Sequence, residues 1–174
     1  MEKVGIGVDV GGTSVKLGLF QPDGTILKKW EFPTDTSENG THILPDIAES
    51  IRKTMEETFQ GKAELIGVGI GVPGPVQPTG YVEVGVNLHW REMYPARELS
   101  ELLGGVRVEV GNDANVAALG EAWRGGGEGA ANAVLLTLGT GVGGGVIMNG
   151  EIVTGKHGLA GEVGHIHVRD GETE

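Results

Sequence analysis

The chain has 174 residues, which is enough for one good hydrophobic core or two small lobes, and length alone does not decide between them. Its 39% hydrophobic and 21% charged residues are typical of a globular protein, whereas 33 glycines are well above ordinary usage. A formal net charge of −11 argues against broad electrostatic binding to nucleic acid or to an anionic membrane, because such binding requires a surplus of Lys and Arg.

The sequence contains no cysteine, so it offers neither a disulfide nor a thiolate ligand for a metal. No window reaches the roughly 18 apolar residues of a membrane-spanning helix. The N-terminus enters a strand-like run directly, without a basic segment followed by a long apolar stretch. We therefore expect a cytoplasmic protein.

The N-terminal part of the sequence predicts strands followed by a helix and a further strand. Apolar residues at helical spacing predict a helix over Thr41–Phe59. Pro73-Gly74-Pro75 then stops any regular element, and we expect a loop after it. The strands predicted in this part are Val4–Val10, Val15–Phe20, Thr25–Phe32 and Leu65–Val72.

The remainder of the chain continues the alternation of helices and strands. Asn149-Gly150 is a strong hairpin signal between two of the predicted strands. The order strand, strand, strand, helix therefore begins twice, with the second copy starting near Asn132. We expect one complete α/β lobe, residues 1–111, and the opening of a similar lobe, residues 112–174. The predicted elements are helices Ala96–Leu103 and Ala114–Trp123, and strands Val106–Val110, Ala133–Leu138, Gly144–Met148 and Glu151–Val153.

Two glycine-rich segments between predicted strands have the character of phosphate-binding turns. In DVGGTSVK, residues 9–16, a turn without large side chains exposes backbone N–H groups and a hydroxyl to an anion. LGTGVGGG, residues 138–145, occupies the corresponding turn of the second copy. Each turn taken alone is also explained as an ordinary hairpin turn. The candidate phosphate-binding residues are Gly11, Gly12, Thr13 and Lys16 in the first segment and Gly139, Thr140, Gly141, Gly143 and Gly144 in the second.

Asp9, at the end of the first predicted strand, is the candidate magnesium residue. Mg²⁺ prefers carboxylate and phosphate oxygens and retains several of its waters, so we expect Asp9 to hold the ion through water.

Formal matches to other nucleotide-binding motifs fail on their context. Gly139–Gly144 fits the dinucleotide fingerprint, but the residues that follow predict a strand and a turn rather than the helix this motif must open. Gly150–Lys156 resembles a Walker loop, but His157 stands where Ser or Thr must contact Mg²⁺.

Polar residues cluster where a strand passes into a helix, at Asn112, Asp113 and Asn115. One of them is sufficient to cap the helix, so the cluster also favours a binding role. A positioned carboxylate can accept the proton of a sugar hydroxyl during phosphoryl transfer, which makes Asp113 the candidate base and Asn112 a candidate sugar contact. Glu162 and His165 offer a further acceptor and a two-way imidazole to sugar hydroxyls.

The remaining histidines do not predict a complete metal site. His165 and His167 alone fall short of a closed zinc site. We interpret His42, His89 and His157 as surface or loop residues.

Taken together, five segments resemble the ROK family, which groups bacterial sugar kinases with sugar-responsive repressors. The resemblance covers essentially the whole chain, and residues 113–127 are most similar to the bacterial glucokinases of that family. The segments are DVGGTSVK (9–16), GVPGPV (71–76), NDANVAALGEAWRGGG (112–127), LGTGVGGG (138–145) and AGEVGH (160–165).

The resemblance implies an α/β, actin/hexokinase-like fold of the ASKHA, ribonuclease H-like type, here one lobe with the beginning of a second similar lobe. ATP and sugar would bind between such lobes, and the γ-phosphoryl group of ATP would pass, with Mg²⁺, to a hexose, with glucose expected first. Asp113 matches the family's catalytic base. The residues implied to hold the sugar are Asn112, Glu162 and His165, with Asn87 and Gly74 lining the same pocket.

The chain departs from the family pattern at the zinc site. In relatives the residue matching His165 also anchors a structural zinc whose other ligands come from a cysteine-rich box. This chain ends at Glu174 without any cysteine. We therefore expect a truncated chain, with structural Zn²⁺ only in a full-length version.

Two alternatives stay open: a non-catalytic sugar-binding fragment and a relative of the sugar-responsive repressors. The repressor alternative is disfavoured because the chain is acidic and begins at the first strand rather than with a helix-turn-helix. An unfinished lobe exposes apolar surface and strand edges, which predicts a homo-oligomer.

Overall fold

The computed structural model describes residues 1–139 and 141–167. The chain divides into two compact units, Met1–Asp113 and the residues from Ala114 onward. In the described part of the chain, no helix is both long enough and apolar enough to cross a membrane.

The elements alternate along the chain much as the sequence predicts. The strands are β1 (Glu2–Val10), β2 (Ser14–Phe20), β3 (Ile26–Pro33), β4 (Ala63–Val72), β5 (Val82–Gly85), β6 (Trp90–Met93), β7 (Val108–Asn112), β8 (Ala133–Leu138), β9 (Val142–Met148) and β10 (Glu151–Ile152). The helices are α1 (Ser37–Gly40), α2 (Ile43–Phe59), α3 (Pro95–Leu102) and α4 (Asp113–Arg124).

The first unit is built on a five-stranded mixed sheet in the order β3-β2-β1-β4-β7. β1, β2 and β3 form an antiparallel meander, while β4 pairs parallel to β1, and β7 pairs parallel to β4. Alternate residues of β1 are buried, and they share one hydrophobic cluster with the apolar face of α2. The carboxyl ends of the three parallel strands consequently meet at one edge of the sheet.

Part of the glycine excess lies on the opposite face of this sheet. Gly7 of β1 pairs with Gly18 of β2 and with Gly69 of β4. Phe20 occupies the space above Gly18, where a Cβ atom would lie 2.6 Å from its Cε2 atom. Gly7 and Gly18 therefore make room for the Phe20 ring on this face of the sheet and do not belong to a ligand loop.

A loop follows Pro73-Gly74-Pro75 as predicted, but it ends at Val82, where the structure has the hairpin β5–β6 that the sequence did not predict. Its strands have four residues each and are joined by a 3₁₀ turn, Val86–Leu88, followed by His89 with φ of 58°. This turn lacks the Asn-Gly or Asp-Gly pair that signals a tight hairpin in a sequence. The residues of this turn therefore could not have predicted the hairpin.

Trp90 anchors this hairpin to α1. Its side chain is 1% exposed, and its indole N–H donates to the Gly40 carbonyl at 3.1 Å. Gly40 has φ of 67°, and a Cβ atom there would collide with the Leu88 carbonyl. The imidazole Nδ1 of His89 also lies 3.0 Å from the Thr36 carbonyl, so two contacts fix the position of the turn.

β7 lies two residues further along the chain than the prediction placed it. Val72 of β4 pairs with Asn112, so the ladder continues through Gly111 and Asn112 although neither is a good strand former. Pairing with β4 thus overrides local propensity at this position.

The second unit contains the antiparallel sheet β10-β9-β8 and helix α4, which carries Ala114 and Ala118 on its buried face. The helix packs closely on β9 because that strand carries glycines. A Cβ atom on Gly145 would lie 2.5 Å from the Cβ of Ala118 and 3.1 Å from the Ala114 carbonyl oxygen.

Gly145→Ala should therefore destabilise the chain, by about 1–3 kcal/mol, since an added methyl group in a packed interface forces neighbours apart. Gly120→Ala is the matched control, because a Cβ at this exposed position of α4 meets no atom within 4 Å. It should stabilise the chain by roughly 0.5–1 kcal/mol through helix propensity. Urea unfolding followed by circular dichroism measures both changes, and equal effects of the two variants would contradict this packing.

Candidate functional site

The register of the parallel strands brings the predicted residues of the first unit to one sheet edge. Asp9 of β1 is the partner of Gly71 of β4, and Gly71 is the partner of Gly111 of β7. The next residues, Asn112 and Asp113, lead directly into α4. This edge therefore carries Asn112 and Asp113 together with Asp9, which lies far from them in sequence.

The turn between β1 and β2 is held from within and from a neighbouring strand end. The Gly11 N–H donates to the Ser14 carbonyl at 3.0 Å. The Thr34 hydroxyl donates to the Gly11 carbonyl at 2.6 Å, and the Thr34 N–H donates to the Thr13 carbonyl at 3.0 Å. Since the Gly11 N–H closes the turn, the amides of the following residues are the better candidates for phosphate contact.

Asn87 lies directly against this turn. A Cβ atom on Gly12 would lie 3.0 Å from the Asn87 carbonyl oxygen and 3.3 Å from the Asn87 Cβ. Gly12 and Thr13 are exposed, as is Asn87. The hairpin that the sequence did not predict therefore brings one predicted sugar residue next to the predicted phosphate turn.

Asn112 and Gly74 are also brought together. The Asn112 side chain is buried, and its Nδ2 donates to the Gly74 carbonyl at 3.1 Å. Gly74 has φ of 95°, a backbone conformation that suits glycine. This bond ties the loop after β4 to the end of β7, while Asp113 next to it remains exposed.

The electrostatics of this edge centre on Asp9. Burial raises the pKa of the Asp9 carboxyl above its ordinary value of 3.8, the Lys16 ammonium opposes that rise, and the Asp113 carboxylate adds to it. Lys16 is the cross-strand partner of Asp9. The side chain of Asp9 still reaches solvent, so the site presents a carboxylate that an external cation would stabilise.

In the second unit, the glycines between β8 and β9 fall into two groups. A Cβ atom on Gly139 or Gly141 would meet nothing within 4 Å, so the turn itself is bare. Gly143 and Gly144 lie within β9, and a Cβ on Gly144 would lie 2.9 Å from the Gly161 carbonyl oxygen. Packing is sufficient to explain Gly144, and its nucleotide contact stays a prediction. Thr140 lies outside the described residues.

Glu162 and His165 stand at the two ends of a 3₁₀ turn, Val163–His165, in which the His165 N–H donates to the Glu162 carbonyl at 3.3 Å. Gly161 and Gly164 allow this turn to approach β9 closely. Because the 3₁₀ repeat is three residues, Glu162 and His165 share one side of the turn. Within residues 1–139 and 141–167, no group of three acidic, His or Cys side chains could hold a metal.

Thr34 is a residue that the sequence analysis missed. It follows the end of β3 and contacts the β1–β2 turn only through the fold. No motif marks it, since a Thr after a strand is ordinary loop chemistry. Only the pairing of β2 with β3 could have identified it.

The antiparallel meander followed by two parallel strands defines the actin/hexokinase-like fold that the sequence predicted. The chain belongs to the ROK family, whose family model matches residues 5–174. The fold and family predictions are thereby confirmed.

Known proteins refine this assignment. A glucokinase of Halalkalibacterium halodurans is 46% identical over 164 residues, which are 94% of this chain and 49% of the relative. The crystal structure of a ROK family glucokinase from Streptomyces griseus, in complex with glucose and AMPPNP, matches with a TM-score of 0.78 at 34% identity over 95% of this chain and 51% of that one. The chain thus spans about half the length of these relatives.

A ROK family transcriptional regulator, a homologue of the E. coli MLC protein, matches with a TM-score of 0.82 at 22% identity, over 98% of this chain and 43% of that one. At this identity the likeness shows the fold alone.

Asp9→Asn should stabilise the folded chain at pH 7. A carboxyl whose folded pKa is raised contributes stability below its unfolded pKa, and this contribution is lost as the pH rises through the folded value. The advantage of the Asn variant should therefore shrink as the pH falls towards 3.8. Thermal unfolding at several pH values measures it, with Glu64→Gln on the exposed side of β4 as control. An advantage that grows on acidification would contradict the assigned electrostatics.

Proposed function

We propose that this chain carries the sugar-binding and phosphate-binding elements of an ATP-dependent hexose kinase, with glucose as the preferred sugar. The observation that carries the proposal is the meeting of Asp9, the β1–β2 turn and Asp113 at one edge of the sheet. Two further observations support it: the family is ROK, and the 46% identical relative is a glucokinase.

Asp113 is the proposed base. It is an exposed carboxylate beside Asn112, whose backbone is fixed by pairing with Val72. As a hexose 6-hydroxyl attacks the γ-phosphorus of ATP, the O–H proton passes to Asp113. The bond between the γ-phosphorus and the β,γ-bridging oxygen breaks, and ADP leaves. Positioning of the hydroxyl matters more than basicity in such a loose transition state.

Asn112, Gly74, Asn87, Glu162 and His165 are the proposed contacts to the sugar. The Asn112 amide N–H donates to the Gly74 carbonyl, which fixes the side chain at the end of β7, and an amide group offers both a donor and an acceptor to sugar hydroxyls. Glu162 accepts hydrogen bonds, and His165 can donate or accept. The phosphate turns supply the proposed contacts to ATP, and their exposed members among the described residues are Gly12, Thr13, Lys16, Gly139 and Gly141. The Gly139 N–H donates to the Gly141 carbonyl at 3.0 Å.

A magnesium ion fits the donor chemistry at Asp9. The carboxylate reaches solvent, and since burial and Asp113 raise its pKa, a bound cation would stabilise its charged form. Mg²⁺ bound through water would neutralise charge on the ATP phosphates. Zinc has no comparable donor set in the described part of the chain.

The test is a coupled assay of ATP-dependent glucose phosphorylation on the 174-residue chain, with calorimetric titration of glucose beside it. We expect glucose binding, and if the chain turns over, Asp113→Asn should reduce the rate at least about 100-fold while leaving glucose affinity within a few fold. Glu56→Gln, on the exposed face of α2, is the control and should change neither quantity. Glucose binding without turnover would favour the non-catalytic alternative, and near-normal turnover of Asp113→Asn would remove Asp113 from the mechanism.

We also propose that the chain self-associates through β8. This strand lies at the edge of the three-stranded sheet among the described residues. Its outward side chains Val134, Leu136 and Leu138 are 66%, 58% and 83% exposed. An unpaired edge with an apolar face and no charge within the strand is a template for pairing with a second copy.

Leu136→Lys should therefore convert a dimer or higher assembly to a monomer, because a charge on the apolar face opposes its burial. Val86→Lys is the control, since Val86 is 76% exposed but lies in the turn of the other hairpin. Sedimentation velocity measures the assembly. A monomeric wild-type chain would refute self-association, and an assembly unaffected by Leu136→Lys would refute β8 as the interface.

A further inference from the structure

The hydroxyl of Thr34 makes the shortest hydrogen bond at the β1–β2 turn, 2.6 Å to the Gly11 carbonyl. The same residue donates its backbone N–H to the Thr13 carbonyl at 3.0 Å. Thr34 is half-buried and directly follows the last residue of β3, Pro33. One residue thus holds two carbonyls of the turn from the same side.

The planarity of the peptide bond turns this contact into a constraint on the next amide. In a trans peptide the C=O of one residue and the N–H of the next point in opposite directions. With the Gly11 carbonyl directed at Thr34, the Gly12 N–H points away from Thr34. With the Thr13 carbonyl held likewise, the Ser14 N–H also points away.

The peptide before Gly12 needs such a constraint because glycine is conformationally free. A residue without Cβ can rotate its flanking peptides through conformations closed to other residues. Asn87 leaves no room for a side chain at this position, because its carbonyl oxygen would lie 3.0 Å from a Gly12 Cβ, so the glycine has to be held by other contacts. The Thr34 hydroxyl limits the rotation of the Gly11–Gly12 peptide by fixing the Gly11 carbonyl.

We propose that Thr34 is a positioning residue for phosphate binding: its hydroxyl fixes the Gly11–Gly12 peptide so that the Gly12 N–H is presented to a phosphate oxygen. The inference rests on the proposed function, because it assigns a device to the turn expected to hold the phosphates of ATP. Thr34 itself does not contact the ligand. Its hydrogen bonds lower the free-energy cost of ordering the turn when a ligand binds, and this preorganisation should increase the affinity for phosphate.

The test uses three variants of the 174-residue chain and inorganic tripolyphosphate as the probe. Thr34→Val keeps the branched shape and removes the donor, Thr34→Ser keeps the donor and removes the methyl group, and Thr25→Val alters an exposed Thr in the turn before β3. Nuclear magnetic resonance follows the Gly12 amide during titration with tripolyphosphate and, separately, the Asn112 side-chain amide during titration with glucose.

We expect the Gly12 amide of the wild-type chain to shift on titration with tripolyphosphate. Thr34→Val should weaken tripolyphosphate binding roughly two- to tenfold, the range that one lost hydrogen bond gives. Thr34→Ser should restore the affinity, and Thr25→Val should leave it unchanged. The response to glucose should be the same in all variants, which a general loss of structure would not allow. If Thr34→Val does not fold, Thr34→Ala removes the same donor without the apolar branch.

An unresponsive Gly12 amide in the wild-type chain, or equal tripolyphosphate affinity in the wild type and in Thr34→Val, overturns the inference. Failure of the proposed function is a separate result. It would appear as absent glucose phosphorylation in a chain whose Gly12 amide still responds to tripolyphosphate in a Thr34-dependent way.

Discussion

The parallel pairing of β1, β4 and β7 is the constraint on which the rest of the site depends. Their register aligns Asp9 with Gly71 and Gly111, so three strand ends and the loops that follow them share one edge of the sheet. The bond from Asn112 to the Gly74 carbonyl then ties two of those loops together. A shift of one residue in the register of β7 would turn Asn112 to the other face of the sheet.

This edge concentrates negative charge that folding alone does not balance. Asp9 is disfavoured as an anion by burial and by Asp113, and Lys16 offsets only part of that effect. A chain selected for stability alone would gain by removing one carboxylate, whereas a site that binds a cation and accepts a proton needs both. Retaining both carboxylates costs stability in the free protein, as expected if Asp9 binds a cation and Asp113 accepts a proton as proposed.

The sequence was sufficient for most of the fold, because hydrophobic periodicity carries that information, whereas the roles of the predicted site residues stay predictions. Prediction from the sequence failed where contacts between residues distant in the chain determine the structure. The hairpin β5–β6 is fixed by the contact of Trp90 with Gly40, which lies fifty residues earlier in the chain, and β7 is extended by pairing with β4. Thr34 acquires its contact with Gly11 only through the pairing of β2 with β3. No local motif could have predicted these contacts.

Glycine has three different physical roles in this chain, and a motif made of glycines does not distinguish them. Gly145 lets a helix approach a strand, Gly74 has a left-handed backbone, and Gly141 leaves open space beside a turn. Only the last role gives a ligand access to the backbone. In LGTGVGGG the bare positions precede β9, whereas the final glycines lie within the strand and are packed. Substitution of the final glycines should therefore affect folding first, and loss of activity in such variants is not by itself evidence of a contact with ATP.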